Sequence, residues 1–350
     1  MQSKTRLIGS NRLTPSEEFL ALSIYAKEME QNALDFYGVG EHLTSFEIQI
    51  AEDLGFSAAV FMPSGTMAQQ IAMKIHTQES ELPIAFHPLS HLEIYEEGGY
   101  RELHKMNSLL LGRPDSCLKL SDIEGKKISA LLYELPQRDL GGTLPTFEEL
   151  ERISLYCKEN SIPFHLDGAR VWECAPYYNK TVQEICSLFD SVYVSFYKGL
   201  NAIAGAMLLG SDSFIANSKI WQRRHGGNLI HLYPYSISAE KSYKENLPKM
   251  PFYFERACEL AEIFNASDLL ETHPIKPQSN MFHLMFKEDI ETVEAKLIAI
   301  EHKFSTALLP KPRKIKYLDT EYLCFSELSI GDNSIVYVTK QLKDIVKQYF

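Results

Sequence analysis

Short apolar runs alternate with helix-period stretches through the first two thirds of this chain, and that alternation constrains the fold more than any other feature. The runs Ala58–Met62, 83–86, 129–135, 163–166, Ser191–Ser195 and Ala206–Gly210 are mostly apolar along their whole length rather than at every second residue. That pattern predicts strands buried on both faces of a sheet. Between them lie stretches with helical spacing. One runs from Ser16 to about Gln31, with Pro15 and Ser16 as start signals, and another spans 44–54, with Phe46, Ile50 and Leu54 on one face. A third leads through Ile71, Ala72 and Met73, and a fourth spans 146–160, opening with Thr146-Phe147-Glu148-Glu149, the pattern of a capping box. Strands interleaved with helices predict an α/β fold, with a mostly parallel central sheet covered by helices on both faces.

The pattern loosens between Pro234 and Tyr243. Beyond it helices dominate, with strands expected at Met281–Phe286 and 322–325. The expected division is a large domain over 1–245, including the N-terminal segment, and a smaller C-terminal α+β domain over 246–350. A chain of 350 residues suits this arrangement.

Charge narrows the partners. The chain carries 35 basic and 46 acidic residues, a formal net charge of −11. An acidic surface repels nucleic acid and anionic membrane, so neither is expected as a partner. An anionic ligand then needs a local positive site: backbone N–H groups, a helix end, or a placed Lys or Arg. Cys117, Cys157, Cys174, Cys186, Cys258 and Cys324 form no CxxC pair and sit in apolar surroundings, so buried free thiols in a reducing compartment are expected. The first residues lack an apolar core of signal-peptide length, and no apolar run approaches the roughly 20 residues of a membrane span. A soluble, cytoplasmic protein with no metal site is expected.

Four short motifs stand out. Pro63-Ser64-Gly65-Thr66 joins a strand to a helix, where glycine admits close approach and unpaired N–H groups attract phosphate. The same turn also occurs as plain structure. His165-Leu166-Asp167-Gly168-Ala169-Arg170 follows a strand end, where ligands bind in sheets of this kind. An aspartate there can pair with a protonated pyridine nitrogen and make the ring an electron sink, or can simply cap a helix. Ser195-Phe196-Tyr197-Lys198-Gly199-Leu200 places a lysine directly after a strand, with small residues behind it at Ala202, Ala204, Gly205 and Ala206. Desolvation lowers the pKa of such a lysine and frees its amine to form an imine, whereas at a surface it stays an ordinary cation. Ser90-His91 through Gly98-Gly99 places a histidine able to lie on an aromatic ring or to serve as a partnered structural residue.

Taken together, a phosphate turn, a histidine, an aspartate and then a lysine follow the order of the aspartate aminotransferase-like fold of pyridoxal 5'-phosphate (PLP) enzymes. The sequence resembles the threonine aldolase / β-eliminating lyase family within that fold. The matching stretches are Phe61-Met62-Pro63-Ser64-Gly65-Thr66-Met67, Ser90-His91 through Gly98-Gly99, Gly141-Gly142-Thr143-Leu144-Pro145, His165 to Arg170, and Asp190 to Leu200; weaker likeness extends through Phe214-Ile215-Ala216 and Trp221 to Gly227. The resemblance implies a PLP-dependent transferase-like fold, fold type I, with PLP as cofactor. It implies Lys198 as the Schiff-base lysine, Asp167 as the partner of the ring nitrogen, Arg170 as the hydrogen-bond partner of the phenolic oxygen, and His91 as ring stacker and candidate base. Ser64, Gly65 and Thr66 are implied as phosphate ligands, and Ser10 as a contact of the substrate carboxylate. A homodimer or homotetramer is implied as well.

Two positions depart from the family pattern. Where relatives carry Glu-Asn-Thr-His before the paired glycines, this chain reads Glu134-Leu135-Pro136-Gln137, and glutamine is no general base near neutral pH. The segment Leu323-Cys324-Phe325-Ser326-Glu327 lacks the family's carboxylate-binding arginine, so either Arg12, Arg223 or Arg224 takes that role or the substrate differs. The resemblance implies a lyase that cleaves threonine-type β-hydroxy amino acids to glycine and an aldehyde by retro-aldol chemistry, with His91 as base. The alternatives are α,β-elimination to a keto acid and ammonia, with Lys198 removing the Cα proton, and a PLP-binding protein with little turnover.

Overall fold

The computed structural model describes residues 5–10, 13–29, 32–77, 80–316 and 320–350. By its contacts the chain forms two compact units, and neither is continuous in sequence. One comprises Leu13–Leu135 and Pro145–Pro248; the other comprises Met1–Arg12, Pro136–Leu144 and Lys249–Phe350. This differs from a single cut at 245/246. The N-terminal segment groups with the C-terminal part because Thr5–Arg6 pairs in parallel with Thr306–Ala307. The insert 136–144 joins it because Arg138 donates from Nε and Nη2 to Glu327 Oε1, at 3.2 and 3.0 Å.

The first unit is built on seven strands: β1 (Ala58–Met62), β2 (Ile84–Phe86), β3 (Ser108–Leu110), β4 (Ala130–Glu134), β5 (Phe164–Gly168), β6 (Ser191–Ser195) and β7 (Ala206–Gly210). Their order across the sheet is β1-β7-β6-β5-β4-β2-β3. Strands β2 to β6 pair in parallel, while β7 runs antiparallel to both β1 and β6. The short 196–205 connection after β6 has no room for a crossover helix, so the chain must return antiparallel. Strand β3 was not anticipated, being three residues long, half-exposed and at the edge. The helix Gly65–His76 buries Ala68, Ile71, Ala72 and Met73 against Met62, Leu132 and Leu208 of the sheet.

Two local expectations need correction. The loosened stretch at 234–243 is the helix Tyr233–Asn246; its buried face is largely small and polar (Ser236, Ser238, Ala239, Ser242), so apolar periodicity does not reveal it. The box at Thr146 is half formed. Thr146 Oγ1 accepts from the Glu149 N–H at 3.2 Å, but the Glu149 carboxylate turns to the Leu120 N–H at 2.6 Å. Complete boxes sit elsewhere: Thr14 and Glu17 cap the helix Pro15–Glu28, with Pro15 in its first turn, and Thr181 and Glu184 cap the helix Val182–Cys186.

The second unit carries an antiparallel sheet of β8 (Leu270–His273), β9 (Met281–Phe286), β10 (Arg313–Lys314) and β11 (Cys324–Ser329), in the order β10-β11-β9-β8. The helices Met250–Phe264, Ile290–Phe304 and Thr339–Tyr349 accompany it.

Candidate active site

The carboxyl ends of β1, β2, β4, β5 and β6 lie along one edge of the first unit's sheet; β1, β2, β5 and β6 each deliver one of the four motifs, and β4 delivers Glu134. After β1 the chain turns through Ser64 into the helix Gly65–His76. Ser64 occupies the cap position but makes no side-chain capping bond, which leaves first-turn N–H groups for another acceptor. Gly65 is required by space. A Cβ there would lie 2.0 Å from Tyr193 Oη and 2.8 Å from Tyr197 Oη. The two phenols stand 3.1 Å apart. Burial, reinforced by Tyr197 and Asp167, pushes the Tyr193 phenol well above its usual pKa, so it stays a proton donor.

After β2 comes His91, at the head of the short helix His91–Ile94. Its backbone N–H donates to Glu134 Oε2 at 3.0 Å, from the end of β4. Its Nδ1 lies 3.1 Å from Glu96 Oε1, and Gln70 Nε2 donates to the other Glu96 oxygen at 3.4 Å. A carboxylate facing Nδ1 fixes the proton there and leaves Nε2 with its lone pair. The Tyr95 ring flanks the imidazole, with centroids 5.2 Å apart.

Asp167 ends β5 and is aligned across the sheet with Glu134 on one side and Tyr193 on the other. Its Oδ1 accepts the Ala169 N–H at 3.1 Å. Two residues earlier on the same face, His165 bonds Ser191 Oγ through Nδ1 at 2.7 Å and Gln69 Oε1 through Nε2 at 2.8 Å. His76 reaches the same Ser191 hydroxyl at 2.7 Å. Burial holds both imidazoles neutral, His165 well below its usual pKa and His76 at about 4.

Lys198 follows β6. The ends of β5 and β6 are stitched together by Ser195 Oγ donating to the Ala169 carbonyl at 2.7 Å and Trp172 Nε1 donating to the Ser195 carbonyl at 3.1 Å. Behind Lys198 lies the buried carboxyl of Glu173. It is raised to about 7 by burial, against the opposing pull of Arg170 and Lys198.

The structure thus gathers Ser64, Gly65, Thr66, His91, Asp167, Arg170 and Lys198 in one unit, at one sheet edge. Ser10 belongs to the other unit, where its Oγ accepts the Asp332 N–H at 3.2 Å. Gln137 belongs there too, its N–H bonded to the Thr143 carbonyl at 3.0 Å. Arg12 lies outside the described residues. Arg223 and Arg224 end the helix Asp212–Arg224, and Arg224 sits over the Trp221 ring at 4.4 Å. Sequence reasoning missed the supporting groups Glu96, Glu134, Tyr193, Tyr197 and Glu173. All five stand inside or beside the quoted motifs, but only the strand register and the folded turns bring them to the site.

Comparison with known proteins gives a consistent result. The sequence model described as "Beta-eliminating lyase" matches residues 20–287. A solved structure from Listeria monocytogenes EGD-E, named as an L-allo-threonine aldolase, is 43% identical, covering 99% of this chain and 96% of its own, with a TM-score of 0.92. One from Exiguobacterium sp. 255-15, named as an aromatic amino acid beta-eliminating lyase/threonine aldolase, is 41% identical over 100% of this chain and 98% of its own, with a TM-score of 0.93. The low-specificity L-threonine aldolase 1 of Arabidopsis thaliana is 25% identical over 302 residues, 83% of this chain and 84% of that protein.

Proposed function

The chain belongs to the beta-eliminating lyase family of PLP-dependent enzymes, and from that premise we propose that it cleaves β-hydroxy amino acids of the threonine and allo-threonine type to glycine and an aldehyde. The observation that carries the reading is the convergence of Ser64-Gly65-Thr66, His91, Asp167, Arg170 and Lys198 on one sheet edge, in relatives' order. Identity above 40% to two structures named for threonine aldolase chemistry supports it.

The residues present fit PLP. The uncapped start of the Gly65–His76 helix, with the Ser64 and Thr66 hydroxyls, suits a phosphate. Asp167 is an anion suited to a protonated ring nitrogen, and Lys198 is the amine that would hold the cofactor's aldehyde. Arg170 is the cation for its phenolic oxygen. When bound, PLP supplies the electron sink that Cα–Cβ cleavage needs.

The remaining chemistry belongs to the chain. Glu96 keeps the His91 proton on Nδ1, so Nε2 is the atom that accepts the β-hydroxyl proton. Glu134 holds the His91 backbone in place at 3.0 Å. Ser195 and Trp172 fix the strand ends that set Asp167 against Lys198. The name of the Exiguobacterium relative favours a second reading, α,β-elimination, in which Lys198 removes the Cα proton. The PLP-loaded protein, given L-threonine, L-allo-threonine and L-phenylserine, separates them. Aldehyde plus glycine establishes the lyase; keto acid plus ammonia replaces it with elimination. No product from any of the three would leave a PLP-binding protein acting on something else.

A homodimer or homotetramer is part of the proposal. Phe19, Leu20 and Ile24 on the helix Pro15–Glu28, and Phe36 and Val39 beyond it, are all more than half exposed, apolar surface that a second copy would cover. Cytoplasmic residence is supported by the six free cysteines and by an acidic chain whose described helices include none long and apolar enough to cross a membrane.

A further inference from the structure

The Val171–Glu173 turn ends on a carboxyl that none of the roles above uses. We propose that Glu173 is a positioning residue of the site, a buried counter-charge shared by Arg170 and Lys198 that sets the pH at which the Lys198 amine loses its proton. This rests on the reading of Lys198 as the amine that holds the cofactor.

Glu173 is 1% exposed, and neither of its oxygens has a hydrogen-bond partner among the described residues. A buried charge without hydrogen bonds is costly, so a chain keeps one only against facing charge. The cations that face it are Arg170 and Lys198, and the neighbouring Cys174 thiol is itself held protonated by burial. The carboxyl is pressed onto the backbone just past Lys198. A Cβ at Gly199 would lie 2.1 Å from Glu173 Oε1, so glycine at that position is what admits the carboxyl. The lysine, the glycine after it and the turn that begins with Arg170 therefore surround one buried carboxyl.

Two arrangements follow from the field of the carboxyl. With Glu173 a carboxylate, Lys198 is held as an ammonium; with Glu173 a carboxylic acid, Lys198 gives its proton to water more readily. The second arrangement presents a neutral amine, the form that attacks an aldehyde or takes a carbon-bound proton. Burial places the carboxyl at about 7, where neither arrangement is out of reach near neutral pH.

The test uses apoprotein mixed with PLP between pH 5.5 and 9. Attachment is trapped with borohydride and counted by mass, for the wild type, Glu173→Gln and Lys198→Ala. With the anion removed and Arg170 still present, the Lys198 amine turns neutral at lower pH. The midpoint for attachment should therefore fall by about one unit or more, a tenfold shift. Apoprotein stability gives a second readout. The folded-state pKa of Glu173 lies above the unfolded 4.5, so its stabilising contribution is present below 4.5 and lost as pH rises through about 7. The folding equilibrium of the wild type should thus lose at least about tenfold relative to E173Q between pH 5 and 8. Equal midpoints with parallel stability curves would overturn the proposal. A trapped adduct in K198A would instead overturn the Lys198 reading, and this one with it. Should E173Q fail to fold, infrared spectra of the wild type decide: a protonated-carboxyl band present at pH 6 and gone by pH 8 is expected, and its absence refutes the role.

Discussion

Gly65→Ala is the substitution whose effect the geometry fixes most tightly. The new Cβ would stand 2.0 Å from Tyr193 Oη and 2.5 Å from Tyr193 Cζ, where ordinary contact begins near 3.4 Å. The shortfall is therefore more than an ångström, and the question is which side gives. Tyr193 cannot: it is 2% exposed, lies mid-strand in β6, and is registered against Asp167 on one side and Leu208 on the other. The start of the Gly65–His76 helix must move instead, which as overpacking costs roughly 1–3 kcal/mol. That movement carries away the N–H groups proposed to hold the cofactor's phosphate, and a bond to a charged group is worth roughly 1.5–3 kcal/mol. Affinity for PLP should fall about ten- to a hundredfold. Titrating apoprotein with PLP by visible absorbance, beside a thermal melt, measures both parts. Adding Tyr193→Phe should rescue little, because removing the hydroxyl leaves the ring carbon in conflict. Binding within twofold of wild type at unchanged melting temperature would refute the steric argument and the phosphate site built on it.

Three further outcomes are expected. His91→Asn should lower kcat by about a hundred- to ten-thousandfold with PLP retained, since it removes the Nε2 base; equal kcat would return the base role to another group. Stability should fall as pH drops from 6.5 toward 4. The His76 pKa is depressed to about 4, so its contribution is present above 6.5 and lost on acidification, about 3 kcal/mol in full, and denaturant melts of His76→Gln against wild type should show a flatter acid limb. Asp35→Ala should cost about 3 kcal/mol in chemical denaturation, because the buried Asp35 Oδ1 accepts the Leu232 and Tyr233 N–H groups at 2.7 and 2.8 Å at the start of the Tyr233–Asn246 helix.

Much of the fold was legible because a parallel sheet writes itself locally. Buried on both faces, its strands are continuous apolar runs, and three of the six expected ones coincide with observed strands to the residue. The parts that were not legible lack that signal. Strand β3 is too short and too exposed to stand out, and the Tyr233–Asn246 helix buries serines and alanine rather than a leucine stripe. The division into units escaped for a different reason. It is set by pairings between segments about three hundred residues apart, such as Thr5 with Thr306, and such contacts have no local trace.

The site divides along the same line. Residues at or just past a strand end are brought to one edge by any parallel sheet, so the order of Gly65, His91, Asp167 and Lys198 was enough to place them on one edge. Their supports depend on register. Glu134, Asp167 and Tyr193 are neighbours only because β4, β5 and β6 align at those residues, and a slip of one residue would turn each to the other face. The glutamate that anchors His91 and the tyrosine that forces glycine at position 65 are therefore properties of the sheet rather than of any motif. It follows that the motif residues alone do not make the site: a substitution inside β4 or β6 that shifts the register by one residue would leave His91, Asp167 and Lys198 all present, yet free His91 from Glu134 and Gly65 from its steric constraint.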